Sequence, residues 1–334
     1  MSCFYYIHIS MIIYEGITEV FDLETGLYKF PLDSRASPQD ISRHLVNPAF
    51  DPSYRVPIGA ERDQNDTEHL QIDAGVGDIV ATLTEKGSIG IWEKRTGRLE
   101  YQARHHGDIY CFGIKIVSSK QVITAASDGS IFLLSKQECG SWEISKKVYK
   151  FFTEIQHIDV DATNDCLVTG TKVDVQIWSL SKMEEGPKKG SIPVSVWMFV
   201  LHFPYVYIVG GEEWEGFQVW NVVSKKCMRS IQLNNKKFHT ISSSGKFVAI
   251  TEKSEFDTTD IFVFLFEERE LRDTNIEDEK LSKRVRICEH DYNNGEVNAA
   301  LNKNCLVVSH GGEVNIQRMW SSDSVLPMKI QEKI

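Results

Sequence analysis

The sequence predicts an all-β chain built from one repeated, four-stranded unit, and three observations carry that reading. The first is the stretch 78–103. It has an apolar run from Ile79 to Leu83, a polar turn closing on Gly87, an alternating run with Ile89, Ile91 and Trp92, and a turn at Thr96-Gly97 leading into Leu99 and Tyr101. Short apolar runs separated by glycine turns are the pattern of antiparallel strands joined tightly. The second is recurrence: aligned on Trp92, further copies are anchored at Phe21, Leu134, Trp178, Trp220, Phe264 and Gln317. The third is the period, since successive anchors lie 71, 42, 44, 42, 44 and 53 residues apart. A unit of 42–44 residues holding four short strands is what one blade of a β-propeller requires. The chain therefore reads as seven four-stranded antiparallel blades with two insertions. Six blades is the alternative, if residues 1–30 do not form a blade of their own.

Blade one is expected over 1–30, with Cys3–His8 as its first strand and Ile12–Tyr14, Glu15-Gly16 and Ile17–Phe21 matching the repeat. Its apolar start lacks the basic flank and small-residue cleavage site of a secretory leader, and it runs straight into a repeat copy, so it is read as strand. The abrupt start predicts one of two things: closure beside Val325–Ile330, or further residues ahead of Met1 in the natural product.

Residues 31–66 interrupt the period and hold five of the nine prolines. Ser37-Pro38-Gln39-Asp40 reads as the start of a short helix, with Ser37 as N-cap and Pro38 in the first turn. That helix must end by Asn47, ahead of Pro48. The rest of this Pro-rich insert is expected to be an ordered cover held by Phe50 and Tyr54, or an element that docks a partner. The remaining blades are placed at 67–106, 107–150, 151–193, 194–234, 235–290 and 291–330. The charged run Glu267–Arg286 accounts for the lengthening of the sixth.

The copies resemble the WD-repeat family. They share a small-residue step at the end of the second strand, a turn such as Asp128-Gly129, and a third strand reading apolar-x-Val/Ile-Trp. The resemblance covers nearly the whole chain outside 31–66, and it implies a fold rather than a particular function. The copies are worn: Trp92 is followed by Glu93, Trp178 by Ser179 and Trp220 by Asn221, with Phe21-Asp22 nearest to the family's Trp-Asp. In that family a His, a Ser or Thr, an Asp and the Trp hydrogen-bond inside a blade. Blade three keeps Asp128 and a candidate His106, but Leu134 stands where the Trp belongs. The buried network is therefore expected to be mostly absent, with apolar packing doing more.

Composition limits the function. The chain carries 47 acidic against 37 basic residues, a formal net charge of −10, and its pI is about 5.5. That balance disfavours non-specific nucleic-acid binding, which needs a basic footprint. Seven cysteines are scattered singly, with no Cys-x-x-Cys. That is the pattern of a reducing compartment rather than a disulfide framework or zinc site, and it predicts a cytoplasmic or nuclear protein. No stretch reaches membrane-spanning length. No Gly-x-Ser-x-Gly, phosphate-cradling glycine loop or His-Glu-x-x-His is present, so the chain is read as no enzyme, with no cofactor and no metal.

Binding residues concentrate on loops carried by a rigid scaffold. The expected face is made by the turns between second and third strands and by the links between blades. It collects Asp128, Lys172 and Asp174 from blades three and four, Glu212, Glu213, Trp214 and Glu215 from blade five, and Glu255 and Asp257 from blade six. Arg104 and His106 come from a link. Trp214 stands out as an aromatic among acids, a residue type enriched at interface hot spots. The acidic balance favours a protein or peptide partner with a basic segment. The expected role is a non-catalytic scaffold or adaptor. The alternative, also implied by the resemblance, is the substrate-recognition subunit of a ubiquitin ligase of the F-box and WD-repeat type, although no F-box-like segment is seen here.

Overall fold

The computed structural model describes residues 9–14, 17–22, 28–32, 69–73, 77–84, 87–104, 111–126, 128–148, 154–187, 189–210, 216–232, 237–243, 247–253, 260–273, 283–289, 298–301, 305–310, 313–318 and 332–333. The chain divides into two compact units, one of residues 1–169 with 178–188, the other of residues 170–177 with 189–334.

The chain forms successive antiparallel meanders. β1 (Ile9–Tyr14), β2 (Ile17–Asp22) and β3 (Tyr28–Leu32) make a three-stranded sheet. β4 (His69–Asp73), β5 (Ile79–Thr84), β6 (Ser88–Glu93) and β7 (Leu99–Arg104) make the next. They are followed by β8 (Cys111–Ser118), β9 (Gln121–Ala126), β10 (Ile131–Lys136) and β11 (Trp142–Val148). The fourth sheet is β12 (His157–Asp161), β13 (Cys166–Gly170), β14 (Val175–Ser179) and β15 (Gly190–Ile192), with one 3₁₀ turn at Met183–Glu185 before β15.

β16 (Val196–His202), β17 (Tyr205–Gly210), β18 (Gly216–Asn221) and β19 (Lys226–Gln232) form the fifth. β20 (Lys237–Ser243), β21 (Phe247–Lys253), β22 (Asp260–Glu267) and β23 (Lys283–Glu289) form the sixth, with the short helix α1 (Glu268–Arg272) leaving the end of β22. β24 (Asn298–Leu301), β25 (Cys305–His310), β26 (Glu313–Arg318) and β27 (Glu332–Lys333) close the series. Among the described residues, six sheets have four strands and one has three. The expected first strand Cys3–His8, the helix expected after Pro38 and the segment Val325–Ile330 lie outside the described residues.

The register tests the repeat directly. Trp92 pairs with Val80, the second residue of β5; Leu134 pairs with Val122 and Trp220 with Val206, each the second residue of its strand. Phe21 and Gln317 oppose Ser10 and Leu306 in the same way. The sixth copy is corrected. The second residue of β21, Val248, pairs with Phe266, whereas Phe264 pairs with Ile250. Phe266, fully buried, therefore occupies the place of Trp92. Phe262, Phe264 and Phe266 alternate along β22. A slip of two residues keeps every side chain on its face, so periodicity alone cannot tell these phenylalanines apart.

The cores follow from the alternation. In the first unit Ile89, Ile91, Ile114, Ile116, Val122 and Leu134 belong to one buried cluster. Ile123, Ile131, Ile155, Leu167, Trp178 and Met183 belong to another. In the second unit Tyr207, Phe217, Val248, Phe266 and Leu271 are packed together. Tyr207 stacks on Phe217 with ring centroids 6.3 Å apart, and Phe217 on Phe266 at 5.1 Å, an offset geometry that favours aromatic pairs.

Candidate functional site

The worn blade network is corrected in part, because its Trp–Thr half survives. The Trp92 indole Nε1–H donates to Thr82 Oγ1 at 3.0 Å, and Trp178 Nε1–H donates to Thr169 Oγ1 at 3.0 Å, all four residues buried. The bond forms where a Thr in the second strand meets a Trp in the third. In the fifth sheet the position two beyond Val206 is Ile208, and Trp220 turns to Gln218 Oε1 on its own strand at 2.6 Å instead. In the second sheet the indole has to cross the backbone. A Cβ on Gly90 would lie 2.6 Å from Thr82 Oγ1 and 2.7 Å from Trp92 Nε1, so that position needs glycine.

The turn between second and third strands is where binding residues were expected. Asp128 is exposed, and its Oδ1 accepts the Ser130 amide at 2.9 Å and the Ser130 hydroxyl at 2.6 Å. Asp174 Oδ1 accepts the Thr171 hydroxyl at 2.7 Å, while Thr171 Oγ1 accepts the amides of Val173 and Asp174 at 3.2 and 3.1 Å. Thr171 N–H also donates to the Asp174 carbonyl at 2.8 Å. Both carboxylates are thus committed to shaping their own turns, as short polar side chains in turns usually are. Lys172 is exposed on the same turn. Arg104 ends β7, paired with Ser88. His106, Glu212, Glu213, Trp214, Glu215, Glu255 and Asp257 lie outside the described residues.

A residue not singled out in the sequence stands at the same end of the second unit's strands. Trp197 is 58% exposed although it lies inside β16. The cause is a β-bulge: Val196 pairs with Gly210 and Met198 with Val209, leaving Trp197 as the extra residue. A bulge re-aims a side chain and is common beside binding sites. The turn carrying Val173, 64% exposed, starts from backbone packed on the same strand. A Cβ on Gly170, three residues before Val173, would lie 2.7 Å from the Phe199 ring and 3.3 Å from Val196 Cγ1. The turn that carries Val173 is thus seated, through Gly170, on the residues either side of Trp197 in β16. In the sequence Trp197 stands in the run Val194-Ser195-Val196-Trp197-Met198, where one more large apolar residue does not stand out.

The opposite end of the second unit's strands holds a polar cluster. Glu268, in the first turn of α1, is 1% exposed. Its Oε2 accepts from His202 Nδ1 at 2.7 Å, from the Tyr207 hydroxyl at 3.0 Å and from Arg272 Nη2; its Oε1 accepts from the Ser243 hydroxyl. Arg272 also donates to Tyr207 Oη at 3.1 Å and stacks over the Tyr205 ring at 4.5 Å. Burial alone would push the Glu268 carboxyl up. The hydrogen bonds from His202 and Ser243, with the charge of His202 and the Tyr207 hydroxyl, outweigh it and hold the carboxyl below the usual range. Burial, aided by the Glu268 charge, pushes the Tyr207 phenol well up, so this phenol stays a neutral donor. A carboxylate so fully occupied ties α1 to the ends of β16 and β20, while the buried Arg272 Nε is left without a hydrogen-bond partner.

Links between first strands add to this. In the first unit the Ile116 amide donates to Asp73 Oδ2 at 2.6 Å, and Lys115 pairs with Asp159 at 3.3 Å. Burial would lower the Lys115 ammonium, but the carboxylates of Asp159 and Asp73 keep it raised. In the second unit the Leu301 amide donates to Ser242 Oγ at 3.0 Å. Among the described residues no group of three or more His, Cys, Asp or Glu side chains is placed to hold a metal ion. No described helix is long and apolar enough to cross a membrane.

No known family profile matches the chain, and no curated protein sequence does either. Solved structures do. One is a chain of a mitotic checkpoint complex, with a TM-score of 0.63 and 13% identity over 96% of this chain and 92% of that one. Another is the β-propeller domain of Cps50 (Swd1) from Myceliophteria thermophila, with a TM-score of 0.61 and 11% identity over 94% and 97%. BamB from Moraxella catarrhalis follows at 0.53 and 12% over 95% and 81%. Identities this low carry the fold alone, and that fold is a β-propeller.

Proposed function

We propose that the protein is a non-catalytic interaction scaffold that presents a propeller face to a protein partner. The observation that supports this best is the bulged Trp197 beside the hydrogen-bonded Val173 turn. It leaves a large aromatic and the Val173 side chain in water on a packed framework. Interfaces draw most of their binding energy from a few such anchors. At the other end of the strands, both oxygens of the buried Glu268 carboxylate are taken up by donors of the chain itself. A cytoplasmic or nuclear setting fits the scattered single cysteines.

The test is affinity purification of the full chain from its native cell at moderate salt, followed by mass spectrometry. A stable complex of fixed stoichiometry is the expected result, and recovery of the chain alone would sink the scaffold reading. The finer alternative, a substrate receptor of a ubiquitin ligase, requires cullin-type subunits in the same eluate.

A further inference from the structure

Resting on the scaffold reading, we propose that the Trp197–Val173 rim takes a basic linear segment of a protein partner, with a Lys or Arg side chain lying over the Trp197 indole. Four observations lead there. First, Trp197 is displayed by a bulge, not by a mobile loop, so its indole is held ready by the pairings Val196–Gly210 and Met198–Val209 on either side. Second, the neighbouring turn is fixed by the Thr171–Asp174 hydrogen bonds and by the close seating of Gly170 on Phe199 and Val196. Binding there orders little of this chain and loses little entropy on this side of the interface. Third, an indole is the best aromatic receptor for a cation. Fourth, the chain carries a net charge of −10, a field that draws a basic segment in and repels an acidic one.

Other occupants fit less well. A second copy of this chain would bring two bodies of −10 together, and a stable dimer needs about 800 Å² from each partner, far more than two exposed side chains provide. A flat folded surface would likewise need a wider apolar area. A linear segment needs only one cationic and one apolar anchor.

The probes are two fluorescein-labelled decapeptides with the same apolar residues, one rich in Lys and Arg and the other in Glu and Asp. They are titrated into the full chain at physiological ionic strength and followed by anisotropy. The basic peptide should bind at least tenfold more tightly. Trp197→Ala should weaken it about tenfold, Trp197→Phe about threefold, and Val223→Ala not at all. Val223 is the control because it is 66% exposed but lies in the β18–β19 turn, at the other end of the strands. Equal binding by wild type and Trp197→Ala, equal binding of the two peptides, or preference for the acidic one overturns the proposal. The scaffold reading is separated by purifying Trp197→Ala from cells. If its complex persists, only this inference falls; if wild type captures no complex at all, the scaffold reading falls as well.

Discussion

The Thr171–Asp174 turn and the Glu268 cluster both fix a carboxylate with hydroxyl donors, yet they differ in every consequence. Asp174 bonds a hydroxyl three residues away, in a turn open to water. Glu268 bonds His202 and Tyr207 across 66 and 61 residues and Ser243 across 25, with its side chain out of water. Between them stand the Trp–Thr pairs, nine and ten residues apart and fully inside a sheet. A carboxylate or hydroxyl bonded to a distant partner is committed to the tertiary fold, because removing it strands groups on several elements. One bonded within its own turn is committed only to that turn. Sequence separation and burial should therefore rank the effect of removing each group.

The largest effect belongs to Glu268. Glu268→Ala leaves Arg272 buried in part beside Tyr207, Ser243 and His202 with no common acceptor. Severing a buried charged pair costs about 3–5 kcal/mol; because His202 and Arg272 are half-exposed and can regain water, about 3 kcal/mol is expected. Urea unfolding followed by circular dichroism checks it, and a loss below about 1 kcal/mol would show the cluster to be ornamental. The pH dependence sharpens the same point. The Glu268 carboxyl is held below its ordinary value in the folded protein, so its contribution is present above the unfolded value near pH 4.3. It fades as pH falls through the lower folded value. The wild type should lose stability over that acidic window, and Glu268→Gln, which has nothing to titrate, should lose less of it.

Gly90→Ala comes next. The added methyl would meet Thr82 Oγ1 and Trp92 Nε1 at 2.6 and 2.7 Å. It would push apart the two atoms that bond each other, at about 1–3 kcal/mol as overpacked sites cost. Thr169→Val keeps the volume and removes only the acceptor, leaving the buried Trp178 N–H unsatisfied at about 1–2 kcal/mol. Thr82→Val should match it in the other sheet. A negligible change in thermal midpoint for both valine variants would mean that the surviving Trp–Thr bonds contribute no stability.

Legibility follows the same order. The strands were readable because their alternation is local, and the repeat was readable because the copies share one register with Val80, Val122 and Val206 opposite their anchors. The sixth anchor is displaced by two residues because a slip of two preserves the alternation, and only pairing with Val248 separates Phe266 from Phe264. The Trp–Thr bonds are less legible although Thr82 and Thr169 occupy matching places in their copies, because two members of a four-member network carry little pattern by themselves. The turns of Asp128 and Asp174 were found, but their carboxylates hold those turns. The Glu268 cluster was hidden inside what read as a charged run. Nothing within a few residues of Glu268 announces His202 or Tyr207, since the fold alone brings them together. Trp197 was hidden by the opposite cause: a bulge changes which way a residue points without changing its composition.

Asp174→Ala should have the smallest effect on stability. It removes one acceptor of the buried Thr171 hydroxyl, which keeps the Asp174 carbonyl at 3.2 Å as a second one, so about 0.5–1 kcal/mol is expected. The amides of Val173 and Asp174 still donate to Thr171 Oγ1, and the turn should keep its path. Thr171→Ala removes every one of those bonds at once and should loosen the turn further without touching Trp197. Hydrogen exchange of the Val173 and Asp174 amides in the two variants distinguishes a turn held by its carboxylate from one held by its hydroxyl. Slower exchange in Asp174→Ala than in Thr171→Ala places the hydroxyl at the centre.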